Sequence, residues 1–142
     1  MLKAIISDHS FPSIDVQKEI IESAGFSLQA IGPICKTEDD VIRTCGDADV
    51  LLVQWAPVRR KALEALPRVR CIVRYGVGVD NFDLGAARDL GVLAANVPDF
   101  CVEEVSDHAA AMIISLARRI PQDHHQIVHG GWGINPFRPI PA

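Results

Sequence analysis

Several features that would classify a protein at once are missing from this sequence. No apolar run approaches the roughly 18 residues needed to span a bilayer, and the opening Met1-Leu2-Lys3-Ala4-Ile5-Ile6 reads into a strand rather than a signal peptide. The four cysteines, Cys35, Cys45, Cys71 and Cys101, form no Cys-x-x-Cys pair, which argues against a zinc site and a secreted disulfide scaffold. Reduced thiols in the cytoplasm are the expectation. A basic stripe is absent too: the net charge is −4 and both signs are spread along the chain, so direct nucleic-acid binding lacks its electrostatic source. There is no internal repeat or low-complexity tract. What remains is a 142-residue chain, 49% hydrophobic and 23% charged, the profile of a globular domain with a sizeable core.

Strand-like apolar runs alternate with segments of helical period, the pattern that builds an α/β fold with a parallel sheet of about five strands covered on both faces. The expected strands are residues 2–6, 26–30, 50–53, 69–73 and 92–95. Residues 50–53, Val-Leu-Leu-Val, form a continuous apolar run of the kind buried on both faces. Ser13 is the expected cap of a helix over 14–24 that stops at Gly25. Thr37 and Asp40 have capping-box spacing for a helix through Cys45. Pro57 and Pro67 bound the space for another helix, and either Asn81 or Asp83 caps one running to Leu90. From Val102 a longer amphipathic helix begins, with Val102, Val105, Ala109, Met112, Ile113 and Leu116 on one side. Glu103 and Glu104 in its first turn and Arg118 and Arg119 in its last match the helix dipole. Pro121 starts a further helix to about His129, and residues 130–142 have the Gly and Pro content of a linker.

The most informative stretch follows the fourth strand: Arg74-Tyr75-Gly76-Val77-Gly78-Val79-Asp80-Asn81. In open α/β sheets ligands bind at the carboxyl ends of strands. Two glycines let the backbone approach a ligand, exposed amides can receive a carboxylate or phosphate, and Arg74 can add a charge-assisted hydrogen bond. The stretch is not a dinucleotide fingerprint, because Asn81 stands where G-x-G-x-x-G needs its third glycine and the helix beyond is short. A purely structural turn is the competing reading of a bare G-x-G.

The continuation separates the two. Arg74-Tyr-Gly-Val-Gly-Val-Asp-Asn-Phe-Asp, then Gly91-Val-Leu-Ala-Ala-Asn-Val-Pro, then Val102-Glu-Glu-Val-Ser-Asp-His-Ala, in this order and spacing, closely resembles the first half of the D-isomer-specific 2-hydroxyacid dehydrogenases. That family includes phosphoglycerate, glycerate and D-lactate dehydrogenases and the C-terminal-binding corepressors. The resemblance is strong over residues 50–119 and only general over the first 45. It implies a flavodoxin-like substrate-binding lobe over residues 1–98, then a hinge from Pro98, interdomain helices and a linker over 99–142 leading toward an NAD-binding Rossmann domain. It also implies that the amides of Val77 and Gly78 hold the substrate carboxylate, with Gly76 in the same turn and Arg74 in reach of substrate. Gln54 and Trp55 match the opposite wall of the cleft, and Val77 and Val105 match positions near the nicotinamide or its phosphates. The family's catalytic arginine, glutamate and histidine and its NAD loop are expected beyond this chain, which alone should be inactive. The implied reaction is reduction of a small 2-keto acid to a D-2-hydroxy acid with NAD. A homodimer through the last two helices is expected, with no membrane partner. The rival functions are a corepressor-like, NAD-linked regulator and a stand-alone flavodoxin-like binding module. A phosphoryl-receiver module ranks low, because Asp8 has no acidic neighbour and no lysine follows the fifth strand.

Other candidates have plainer readings. His125 and His129 share a helix face and His124 adjoins them, but no carboxylate or cysteine completes a metal set, so an exposed helix is the expectation. Asp107 and His108 point about 100° apart on a helix and cannot act as a facing pair. Cys101 is expected to be a packed thiol, and Trp132 to be packing, with Trp55 the aromatic of the cleft.

Overall fold

The computed structural model describes residues 1–31 and 35–133; most of the linker expected over 130–142 lies outside them. The alternating pattern yields β1 (Lys3–Ile6), α1 (Asp15–Ser23), β2 (Ser27–Ala30), α2 (Glu38–Thr44), β3 (Val50–Val53), α3 (Arg60–Ala65), β4 (Cys71–Arg74), α4 (Leu84–Asp89), β5 (Leu93–Ala95), α5 (Val102–Arg118) and α6 (Ile120–Val128). All strands pair in parallel, in the order β2-β1-β3-β4-β5. This is the flavodoxin-like order, whose switch point falls between β1 and β3.

Register explains the core. Ile5 lies opposite Leu51, Leu51 opposite Ile72 and Ile72 opposite Ala94, so one apolar row crosses the sheet. Ile5, Leu51 and Ile72 are fully buried, under Val41 of α2, Ala62 and Leu63 of α3, and Ala86 and Ala87 of α4. Each large aliphatic side chain buried there contributes about 1.5–3 kcal/mol.

The opposite face is covered less completely, which corrects the expectation for β3. Leu51 and Val53 are buried but Val50 and Leu52 only half-buried. Here the sheet meets α1, a nine-residue helix with no buried residue, whose Val16 and Ile20 are exposed. An apolar groove lined by Ala4, Ile20, Ile21, Phe26, Val50 and Leu52 remains beside it.

Local chemistry fixes the ends of the elements. The capping box forms: Asp40 N donates to Thr37 Oγ1 and Thr37 N to Asp40 Oδ2, both at 3.1 Å. Asp83, not Asn81, caps α4 by accepting from Ala86 N at 2.7 Å. Ser13 acts one residue upstream of its expected place: Ile14 occupies the cap position of α1, while Ser13 Oγ accepts from Asp15 N at 3.0 Å. α3 starts later than Pro57 allows because Val58 bridges to Phe82, donating to Asn81 O at 2.9 Å. β4 starts at Cys71 because Val69 N turns back to Leu66 O.

The chain divides into two compact units, Met1–Phe100 and Cys101–Ala142. The first holds the sheet and α1 to α4. In the second, α5 and α6 pack together, and α5 is bracketed by two left-handed residues, Cys101 (φ 58°) and Arg119 (φ 59°). No residue of α5 is buried; Val102, Val105, Met112, Ile113 and Leu116 are all at least half exposed. All four cysteines are free, with Cys35 and Cys45 buried and Cys71 and Cys101 half-buried. Among the described residues no helix is long and apolar enough to cross a membrane.

Candidate functional site

The β4 strand ends where Tyr75 N donates to Val53 O at 2.8 Å, and the chain then turns through Gly76, Val77 and Gly78. Each carbonyl of this turn accepts a hydrogen bond from elsewhere in the chain. Gly76 O accepts from Val97 N at 3.1 Å, Val77 O from Asn96 Nδ2 at 2.8 Å, and Gly78 O from Arg74 Nη1 at 2.8 Å. The amides of Val77 and Gly78 have no acceptor among the described residues, and both residues are exposed. The turn therefore has its three carbonyls occupied and leaves two adjacent N–H groups open, the polarity of an anion seat.

Arg74 accounts for both glycines. Gly76 has a φ of +150°, and a Cβ there would stand 2.9 Å from Arg74 Nη1; one on Gly78 would stand 3.4 Å from it and 3.0 Å from Asp80 Oδ1. The missing side chains clear space for the guanidinium, a use the bare G-x-G pattern did not disclose. The same guanidinium donates through Nε to Gln54 O at 3.1 Å, stapling the end of β3 to the turn. Gln54 faces the other way: its amide accepts from Ser10 N at 2.7 Å and donates to Ser10 Oγ at 3.0 Å. Trp55, beside it, is 49% exposed.

Asp8, set aside in the sequence for want of an acidic neighbour, organises this end of the sheet. It is fully buried, and its carboxylate accepts from Trp55 N at 2.6 Å, from Gln54 N and Ala56 N at 3.2 Å, and from Ser7 Oγ at 2.7 Å. The signal was an aspartate prolonging an apolar strand, Ile5-Ile6-Ser7-Asp8, where a buried charge needs several donors. Asn81, buried where a third glycine would stand, donates to Ala56 O at 3.0 Å and fixes the same loop from below. A ring cluster that the sequence did not suggest joins the loop after β1 to the end of β4. Phe11 stacks on His9 at 5.9 Å and meets Tyr75 edge-on at 5.0 Å. Tyr75 Oη and His9 Nδ1 are buried without a hydrogen-bond partner. Burial pushes the Tyr75 phenol up to about 12.

Gln54, Arg74, Gly76, Val77 and Gly78 are thus linked through hydrogen bonds and steric fit, and Trp55 joins them through the loop. Val105 lies on α5 in the other unit and is 65% exposed. Trp132, expected to pack, is 90% exposed. His125 and His129 do share a face, with rings 4.1 Å apart, yet no group of three potential metal ligands occurs among the described residues.

Residues 5–128 match the model of the D-isomer specific 2-hydroxyacid dehydrogenase catalytic domain. The chain belongs to this family. It is 31% identical over 141 residues to the D-3-phosphoglycerate dehydrogenase of Methanocaldococcus jannaschii, covering 99% of this chain and 26% of that one. Among solved structures it is similar to the D-lactate dehydrogenase of Escherichia coli, with a TM-score of 0.63, 26% identity, and coverage of 99% and 45%. It is also similar to the NAD+-bound 3-phosphoglycerate dehydrogenase of Entamoeba histolytica, with a TM-score of 0.71, 28% identity, and coverage of 82% and 39%. The chain therefore spans a quarter to a half of the length of these relatives. Within this 2-hydroxyacid dehydrogenase domain the glycine turn does not fit a dinucleotide pyrophosphate. Asn81 fills the third glycine's position, and α4 begins only at Leu84, so the turn does not lead directly into a helix N-terminus.

Proposed function

We propose that this chain is the acid-binding lobe of an NAD-dependent oxidoreductase that interconverts a 2-keto acid and a D-2-hydroxy acid. The observation that carries the reading is the polarity of the Gly76–Gly78 turn: three carbonyls engaged within the chain, with the amides of Val77 and Gly78 left open. The substrate carboxylate sits on those two amides. Arg74, whose Nη2 has no partner among the described residues, adds a charged donor at the rim. Gly76 gives the turn its shape, and Gln54 and Trp55 form the wall raised by β3. Binding at fixed amides orients the carbonyl carbon for attack, which is the contribution positioning makes to such a reaction.

NAD supplies hydride chemistry when bound. Since the glycine turn does not fit its pyrophosphate, the reading assigns the cofactor's cradle and the proton-transferring groups to the portion of the relatives' length that this chain does not span. Val77 and Val105 are then residues of this chain that approach the nicotinamide or its phosphates. The domain reading is a substrate lobe over 1–98 followed by hinge and interdomain helices over 99–142, and the chain alone is inactive. The exposed apolar residues of α5 support a homodimer formed through the C-terminal helices.

The test is a titration of the 15N-labelled chain with pyruvate. The amide resonances of Val77 and Gly78 shift in a saturable way, and Arg74→Ala weakens the binding. Resonances that stay in place would remove the turn from the site. A form extended to the relatives' length should reduce pyruvate or hydroxypyruvate with NADH, which separates an enzyme from a regulator.

A further inference from the structure

The loops at the carboxyl ends of β1, β3, β4 and β5 share a composition that the carboxylate seat does not require. Residues 7–14, 54–59, 75–83 and 96–101 contain no lysine and a single arginine, Arg59, and they carry Phe11, Trp55, Tyr75 and Phe100 together with Asp80 and Asp99. Arg74, the last residue of β4, is the other cation at this end of the sheet, and two backbone carbonyls already engage its guanidinium. Asp80 places a carboxylate oxygen beside Gly78. At the head of α3, Arg60 is paired with Asp89 at 2.7 Å and Lys61 with Asp39 at 2.6 Å, leaving Arg59. One carboxylate on the turn is balanced by Arg74. A phosphate dianion added to it would meet Asp80 with little positive charge to offset it, and like charges at such range cost binding.

The apolar surface points the other way. The Phe11–Tyr75 contact crosses from the β1 loop to the β4 turn over the end of β3, because those two strands flank β3 in the sheet. Tyr75 stands two residues before Val77, whose side chain is 47% exposed, and Trp55 and Phe100 are 49% and 57% exposed. Aromatic surfaces of this kind bind flat apolar groups by edge-to-face and offset contacts.

Resting on the reading that Val77 and Gly78 seat a carboxylate, we propose that the acid received here is a 2-keto or 2-hydroxy monocarboxylate carrying an uncharged aromatic group on its third carbon. A phosphorylated acid, the substrate named for the phosphoglycerate dehydrogenases to which the chain is similar, is disfavoured. The ring lies against Phe11 and Tyr75, with Trp55 closing the rim.

Three probes test this on the 142-residue chain: pyruvate, phenylpyruvate and phosphohydroxypyruvate, each followed at the Val77 and Gly78 amides by NMR. Phenylpyruvate should bind about tenfold more tightly than either of the others. Its phenyl protons should show nuclear Overhauser contacts to the Phe11 or Tyr75 ring in the unmutated chain. Phe11→Ala should bring the ratio of phenylpyruvate to pyruvate affinity toward one. Equal affinities for phenylpyruvate and pyruvate, or tightest binding of phosphohydroxypyruvate lost in Arg59→Ala, would overturn this inference and leave the carboxylate seat standing. If none of the three acids moves the two amides, the seat itself is wrong and the inference falls with it.

Discussion

The carboxylate of Asp8 stands 2.6 Å from the backbone nitrogen of Trp55, two strands' ends joined by one buried charge. In a flavodoxin-like sheet this crevice between the first and third strands is where an external anion commonly binds. Here the chain's own side chain fills the nest made by the amides of Gln54, Trp55 and Ala56. The free amides are found one strand over, after β4. Asp8→Ala leaves those three amides without their acceptor, a loss of about 3 kcal/mol or more. Urea unfolding followed by tryptophan emission reads it as a lowered midpoint; an unchanged midpoint would deny Asp8 its role.

Gly76 and Gly25 make a controlled pair. Both have positive φ, +150° and +85°, but a Cβ on Gly25 meets nothing within 4 Å, whereas one on Gly76 meets Arg74 Nη1 at 2.9 Å. Gly76→Ala should therefore be the more destabilising by about 1–2 kcal/mol in thermal unfolding. In an Arg74→Ala background the part of the excess owed to the guanidinium should vanish, leaving the backbone strain at φ +150°, and a double-mutant cycle measures that coupling.

Tyr75 is the only tyrosine in the chain, so absorbance at 295 nm follows it alone. Burial raises its pKa from 10.0 to about 12. The unfolded state ionises first, so this group's contribution to stability is complete below 10 and is lost as pH rises through about 12. Tyr75→Phe should flatten the alkaline fall in melting temperature across that window. Because the hydroxyl has no partner, the substitution costs little stability at pH 7.

The α2 cap gives the acid counterpart. The Thr37 hydroxyl first, and Arg43 second, hold Asp40 down from 3.8 to about 2. What ionised Asp40 adds is complete above 3.8 and lost as pH falls through about 2. Thr37→Ala should raise the Asp40 value toward 3.8, seen in its carboxyl 13C titration, and cost about 1 kcal/mol as a lost cap.

If the homodimer forms through the C-terminal helices, charge on α5 should abolish it. Ile113 and Leu116 are 68% and 70% exposed. Leu116→Glu should convert a dimer into a monomer in multi-angle light scattering; a wild-type chain already monomeric at high concentration would refute the dimer.

Much of this fold was legible because it follows from local pattern. The Val50–Val53 run, the Thr37–Asp40 pair and the glycine after each early helix are all decided within a few residues of themselves. Burial of β3 was overestimated because periodicity reports that a strand is apolar, not how long a helix lies across it. Ser13 acts one position from its expected place, and of the two candidate caps of α4 Asp83 serves, while Asn81 is used to hold Ala56. The site divides the same way. The Arg74–Gly78 turn could be picked out from its own residues, while the partners of Asp8 lie 46 to 48 residues away and are backbone amides, which no side-chain pattern announces. The ring contact between Phe11 and Tyr75 depends on strand order, and so appears only with the sheet.

The tethered carbonyls of the Gly76–Gly78 turn also govern how its amides exchange. Ordinarily an amide that trades its proton quickly with water marks a segment that moves. At Val77 and Gly78 the two properties should part company: exchange is fast because nothing covers the N–H groups, while the peptide planes stay still because their oxygens are tethered to Val97, Asn96 and Arg74. A ligand arriving there has little backbone freedom left to remove, so most of the entropy of ordering that turn is already spent in folding.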